Sequence, residues 1–189
     1  MIKLDLTEDE IGPFVLAAHN NLATVQQLYA ATPALLNARY AKFNETALEA
    51  AGHMGRRDIA EWLLAQGAPL TIFAAAMLGQ IAAVHTFLTA DPALATANGV
   101  HGISILYHTA LSGDPALADL LLAHGGGTGA DAALHAAVQS GQVPMLDWLR
   151  RHGAGDPNVP NFNGQTPRQV ALHRGHAALA ARLAQAGGR

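Results

Sequence analysis

Ten histidines lie among the 189 residues, and imidazole is the side chain most able to hold a metal or move a proton near neutral pH. His101 and His108, with Asp131 or Asp114 brought near, make the one mixed histidine–carboxylate set that suggests a metal-dependent regulator or an enzyme. No two of these ligand types show the tight spacing of a zinc site. His173 and His176 are three apart, but Gly175 falls between them and breaks the helical face they would share. With no cysteine, thiolate zinc sites and disulfides are both excluded. Ser104, Ser112 and Ser140 fall at turn or cap positions, and there is no Gly-x-Ser-x-Gly elbow for a nucleophile. GGGTGAD at 125–131 lacks the Lys-Ser/Thr ending and the preceding strand of a phosphate loop, so it reads as a flexible join. No catalytic residue and no resident metal or cofactor is therefore expected.

Charge narrows the partner. The formal net charge is −3, and no Lys or Arg occurs between Arg57 and Arg150. Tracking a phosphate backbone takes several clustered cations, so nucleic acid is not expected. Apolar runs fall short of the roughly 18–20 residues that cross a bilayer, and MIKLDLTEDE lacks a secretory profile. A cytoplasmic chain with no membrane contact is the expectation.

The elements that must position any site are short and regular. Gly113 suits the left-handed residue after a helix, Asp114 can cap the next helix, and Pro115 fits its first turn. Leu117, Leu120 and Leu121 follow at helical spacing, and Gly125 closes the segment. The same arrangement recurs with glycine pairs at 55 and 67, 141 and 153, and 175 and 187. A fifth copy keeps Gly79 and ends on Asp91-Pro92, and a degenerate first copy has Asn20 at the glycine position. Half the residues are hydrophobic but only 5% aromatic, so the core is read as Ala, Leu, Val and Ile. Interior positions are Leu48, Ile59, Leu63, Leu64, Phe73, Val84, Phe87, Leu88, Leu106, Leu117, Leu121, Leu122, Leu134, Leu146, Leu149 and Leu183. Trp62 and Trp148, each seven residues past the repeat glycine, are read as packing between repeats. Thr7 and Glu10 have capping-box spacing.

Six such copies resemble the ankyrin repeat. Thr166-Pro167 and Leu134-His135 keep parts of its opening motif, and Trp62-Leu63-Leu64 through Gly67-Ala68 keep its close. The resemblance covers about residues 12–188 and implies one all-α domain, a solenoid of stacked antiparallel helix pairs. Repeats would run 12–38, 39–68, 69–97, 98–126, 127–157 and 158–189, after an N-terminal cap at 1–11. Markers 20, 55, 79, 113, 141 and 175 are spaced 35, 24, 34, 28 and 34 residues apart. The long joins precede the second, fourth and sixth repeats, so hairpin fingers are expected there and blunt joins elsewhere.

The family resemblance implies a non-catalytic module that binds a protein partner, with no small-molecule substrate. Its binding positions map to a groove of His53, Met54, Met77, Leu78, Leu111, Ser112, Gln139, Ser140, His173 and Arg174. They also map to fingers carrying Arg39, Tyr40, Lys42, Phe43, Asn98, Val100, His101, Asn161 and Phe162. Met54, Met77, Leu78 and Leu111 would form an apolar strip along the groove. Tyr40, Phe43 and Phe162 have the aromatic make-up of interface anchors, although Phe43 and Phe162 could equally hold their own hairpins. Self-association through the Ala-rich final helix, as a scaffold, is the alternative. The resemblance also gives His135 a structural hydrogen bond to neighbouring backbone and places His124 and His152 at helix C-termini. His19, His53 and His173 would face the groove but stand too many repeats apart to share a metal.

Overall fold

The computed structural model describes residues 6–153 and 156–189. The first five residues of the expected cap, and Ala154 at the close of the fifth repeat, lie outside the described residues. Among the described residues twelve α-helices follow one another along the chain as six consecutive pairs. The chain forms two compact units, Met1–Ala74 and Ala75–Arg189.

In the first unit α1 (Glu8–Ala17) and α2 (Leu22–Ala31) precede α3 (Ala47–His53) and α4 (Arg57–Ala65). The two first helices pack together, as do the two second helices. The backbone N–H of Thr7 donates to Glu10 Oε2 at 2.8 Å, completing the expected box at α1. This bond also holds the exposed Glu10 carboxyl below the usual carboxylate range. Asn20 does not adopt a glycine-like positive φ; Asn21 instead caps α2 by accepting from the N–H of Thr24.

A short antiparallel hairpin, β1 (Arg39–Tyr40) and β2 (Glu45–Thr46), projects between α2 and α3. Asn44 takes φ +52° in its turn. The Ala41 N–H donates to Glu8 Oε2 (3.1 Å), and Tyr40 lies over Gly12 of α1, where a Cβ would come within 3.0 Å of the ring. A Cβ at 12 would require the Tyr40 ring to shift.

Helix α5 (Ile72–Met77) crosses the boundary between the units. The second unit then holds α6 (Ile81–Ala90), α7 (Ile105–Ser112), α8 (Pro115–Ala123), α9 (Ala130–Gln139), α10 (Val143–Arg151), α11 (Pro167–His173) and α12 (Ala177–Gln185). Two layers result: α7, α9 and α11 pack in one row, and α6, α8, α10 and α12 in the other. The first row is close because its contact face is small, with Ala133, Ala136, Ala137 and Ala171 fully buried. The second row is filled by Leu88, Leu117, Leu121, Leu146 and Leu149.

The repeat grammar has one local cause. Gly113 sits at φ +81°, a conformation that strains any residue with a Cβ. Gly55, Gly79, Gly141 and Gly175 share it. After those four, the next N–H reaches back five residues to a buried alanine carbonyl (Arg56 to Ala51, Gln80 to Ala75, Gln142 to Ala137, His176 to Ala171). In the fourth repeat Ser112 Oγ takes over, accepting from the Asp114 N–H. Asp114 caps α8 through the Ala116 N–H at 2.9 Å, as its sequence implies.

Of the three hairpin fingers expected, the structure forms a paired hairpin only at the first. The hairpin at 39–46 is the fullest, and before α7 an Asn98–Ser104 bridge closes a reduced finger around Val100–Gly102. Before α11 the Asn161 N–H donates to the Gln165 carbonyl, and among the described residues this loop carries no strand, so the finger expected there is a turn and not a paired hairpin. The joins into α5 and α9 carry no hairpin. Among the interior positions Leu64, Phe73 and Phe87 are only half-buried, and Leu122 is 42% exposed, because it lies beside the buried stripe of α8 on which Leu117 and Leu121 lie. No helix among the described residues is long and apolar enough to cross a membrane.

Candidate functional site

Thr46 caps α3 with a capping box: its N–H donates to Glu49 Oε2 at 2.7 Å and its Oγ1 accepts from the Glu49 N–H. The cap fixes the direction of the preceding residue, Glu45, which pairs with Tyr40 across the hairpin. The Glu45 side chain turns inward and is fully buried. There it meets His53 from the last turn of α3, with Nε2 to Oε2 at 3.0 Å. It also meets His19, just past α1, with Nε2 to Oε1 at 3.3 Å. The two imidazoles lie edge to face, 5.2 Å between centroids.

This corrects the expectation that His19, His53 and His173 stand too far apart to share a metal. His19 and His53 belong to consecutive copies whose first helices pack together, so the repeat brings them into one cluster. His173 remains separate and exposed, accepting from Gln165 Nε2 at 2.8 Å. The cluster offers two nitrogens and a carboxylate oxygen, all within 4.8 Å of one another. A buried carboxylate is costly without charged or hydrogen-bonding partners, and the two rings are what faces its oxygens here. The sequence signal was a spacing: Glu45 and His53 are eight apart, as are Gln165 and His173 at the matching places of the sixth copy.

The expected set around His101 and His108 is not assembled. His108 is buried, with Nδ1 donating to the Ser104 carbonyl, while His101 is exposed at φ +58° in the reduced finger. Neither joins Asp131 or Asp114 in a ligand group among the described residues. Several other histidines are structural. His124 and His152 donate from Nδ1 to the carbonyls of Leu120 and Trp148, and His135 donates from Nε2 to Val159 at 2.8 Å. Because Nε2 carries that proton, the buried, partnerless Nδ1 of His135 is the basic atom, and desolvation pushes its pKa down.

The groove positions divide by burial. His53, Met77, Leu78 and Leu111 are buried, so the continuous apolar strip expected there is not a surface. A single repeat's pattern does not reveal this burial. Met54 remains exposed (39%), His173 and Arg174 are exposed, and Ser112, Gln139 and Ser140 are half-buried. At the finger before α3, Arg39 pairs with Glu49 at 2.9 Å. Tyr40 meets Phe43 edge to face at 5.6 Å, and Lys42 Nζ lies 5.4 Å from the Phe43 ring centre. Phe43 thus leans on its hairpin yet is 38% exposed, while Phe162 is fully exposed. Asn98 is exposed and Val100 half-buried. Asn161 is half-buried, its Oδ1 accepting from the Asn163 and Gln165 N–H groups.

No curated protein matches the chain. The ankyrin repeat family model matches residues 130–162, and the helix pairs over the rest of the described chain are consistent with repeats of the same kind.

Proposed function

We propose that this chain is a non-catalytic module that captures a protein partner chiefly through its loop tips. Ankyrin repeats are in general protein–protein interaction modules and typically carry no catalysis. The observation that carries the finer reading is Phe162, an aromatic side chain held wholly in solvent by a loop whose Asn161 side chain is anchored twice. Such a ring contributes nothing to its own loop and offers a large apolar area to a complementary pocket. Phe43, with Lys42 and Arg39 around it, is a second anchor of mixed apolar and cationic character. The buried Met77, Leu78 and Leu111 favour the tips over the groove, with Met54, His173 and Arg174 contributing at helix ends.

Affinity capture with wild type, Phe162→Ser, Phe43→Ser and Met54→Glu tests this reading. Loss of the captured partner in the two tip variants, with unchanged helical content, is the expected result. Loss confined to Met54→Glu would transfer the interface to the groove.

A further inference from the structure

We propose that His19, Glu45 and His53 form a binding site for a divalent first-row transition ion, with Zn2+ the ion whose chemistry suits them best. The first support is stereochemical. His19 Nδ1 faces the Val15 carbonyl at 3.1 Å, and a carbonyl can only accept, so Nδ1 carries the proton. In the neutral ring Nε2 then presents a lone pair to Glu45 Oε1 at 3.3 Å. Two acceptors face each other unless a cation, a proton or a metal ion, lies between them. A ring nitrogen fixed by a backbone carbonyl through its other nitrogen is also the usual support of a metal-bound imidazole.

Geometry agrees. A tetrahedral ion with bonds of about 2.0–2.1 Å holds its ligand atoms about 3.3 Å apart. The His19 and His53 nitrogens lie 3.3 and 3.0 Å from the carboxylate oxygens, and no ligand atom is more than 4.8 Å from another. Two imidazoles and one carboxylate suit zinc and its neighbours better than calcium or magnesium, which prefer all-oxygen shells. Glu45 is fully buried and His53 nearly so, whereas the His19 side chain is 22% exposed, so the cluster meets solvent at its His19 edge.

The repeat frame supplies an internal control. At the matching places of the sixth copy a Gln165–His173 pair also meets, at 2.8 Å, but at an exposed site and through His173 Nδ1 in place of Nε2. In the fourth copy the places hold Ile103 and Leu111. An amide or an apolar pair therefore satisfies the fold at these positions. A buried carboxylate between two imidazoles exceeds what the fold needs.

The test is a titration of chelator-stripped protein with Zn2+ against a chromogenic competitor, repeated with Mg2+ and Ca2+. One equivalent of Zn2+ bound, a higher Tm in its presence and no response to Mg2+ or Ca2+ are expected. Glu45→Gln, which copies Gln165, should keep the helical spectrum and weaken Zn2+ binding by about 100-fold or more. His19→Ala, at the accessible edge, should do the same and serves if the first variant does not fold. Substoichiometric binding, or binding that survives both substitutions, overturns the proposal and leaves a proton-bridged structural cluster.

Discussion

The Trp148 indole reaches from α10 to Asp119 on α8, Nε1–H donating to Oδ1 at 2.6 Å, while its ring stacks on His152 4.1 Å away. One side chain thus ties two consecutive repeats by burial and by a charge-assisted bond. Trp62 plays the apolar half of this role against Tyr29 in the first unit, ring to ring at 5.2 Å. Trp148→Phe keeps most of the packing and removes the donor. A loss of about 1.5–3 kcal/mol is expected by urea unfolding. In a double-mutant cycle with Asp119→Ala, a coupling near zero would show the bond to be idle.

Neighbouring leucines on α8 should behave differently. Leu121 is fully buried, so Leu121→Ala is expected to cost about 2–5 kcal/mol. Leu122, 42% exposed, should cost less than about 1 kcal/mol on the same change. Equal losses in chemical denaturation would contradict the orientation of the helix.

Gly113 reports on the turn between α7 and α8. At φ +81° an alanine is strained by about 1–2 kcal/mol, and its Cβ would also displace the Gln142 side chain. Gly113→Ala should therefore lower Tm without changing the helical signal. Gly52, inside α3 with open space where a Cβ would lie, is the control, and Gly52→Ala should be neutral or stabilising.

Acid should weaken the second unit through His135. Desolvation lowers its pKa in the folded state, outweighing the Val159 bond and the Asp131 charge, which both raise it. The unfolded chain then takes up a proton at a pH where the folded chain does not, so stability falls as pH drops below about 6.5. His135→Gln removes that contribution. Comparing urea midpoints at pH 7.5 and 5.5, the loss on acidification should be smaller in the variant. An identical loss would mean that His135 does not titrate between the two states.

Whatever depends on a few consecutive residues was legible in the chain: the box at Thr7, the cap at Asp114 and the stop at Gly113. These are contacts between residues two to five apart, and side-chain chemistry alone specifies them. The alternation of long and short joins was readable for the same reason, since repetition makes a local rule visible more than once.

Tertiary structure decided which helix ends stay open and which distant groups meet. Met77, Leu78 and Leu111 follow the groove pattern of a single repeat, but they are buried in the folded chain. His19, Glu45 and His53 are separated by 26 and 8 residues. They converge only because α1 packs on α3 and the hairpin turns Glu45 inward. Sequence periodicity specifies the direction of a side chain relative to its own helix. What lies opposite depends on stacking distance and on small residues such as Gly12, which allow that approach.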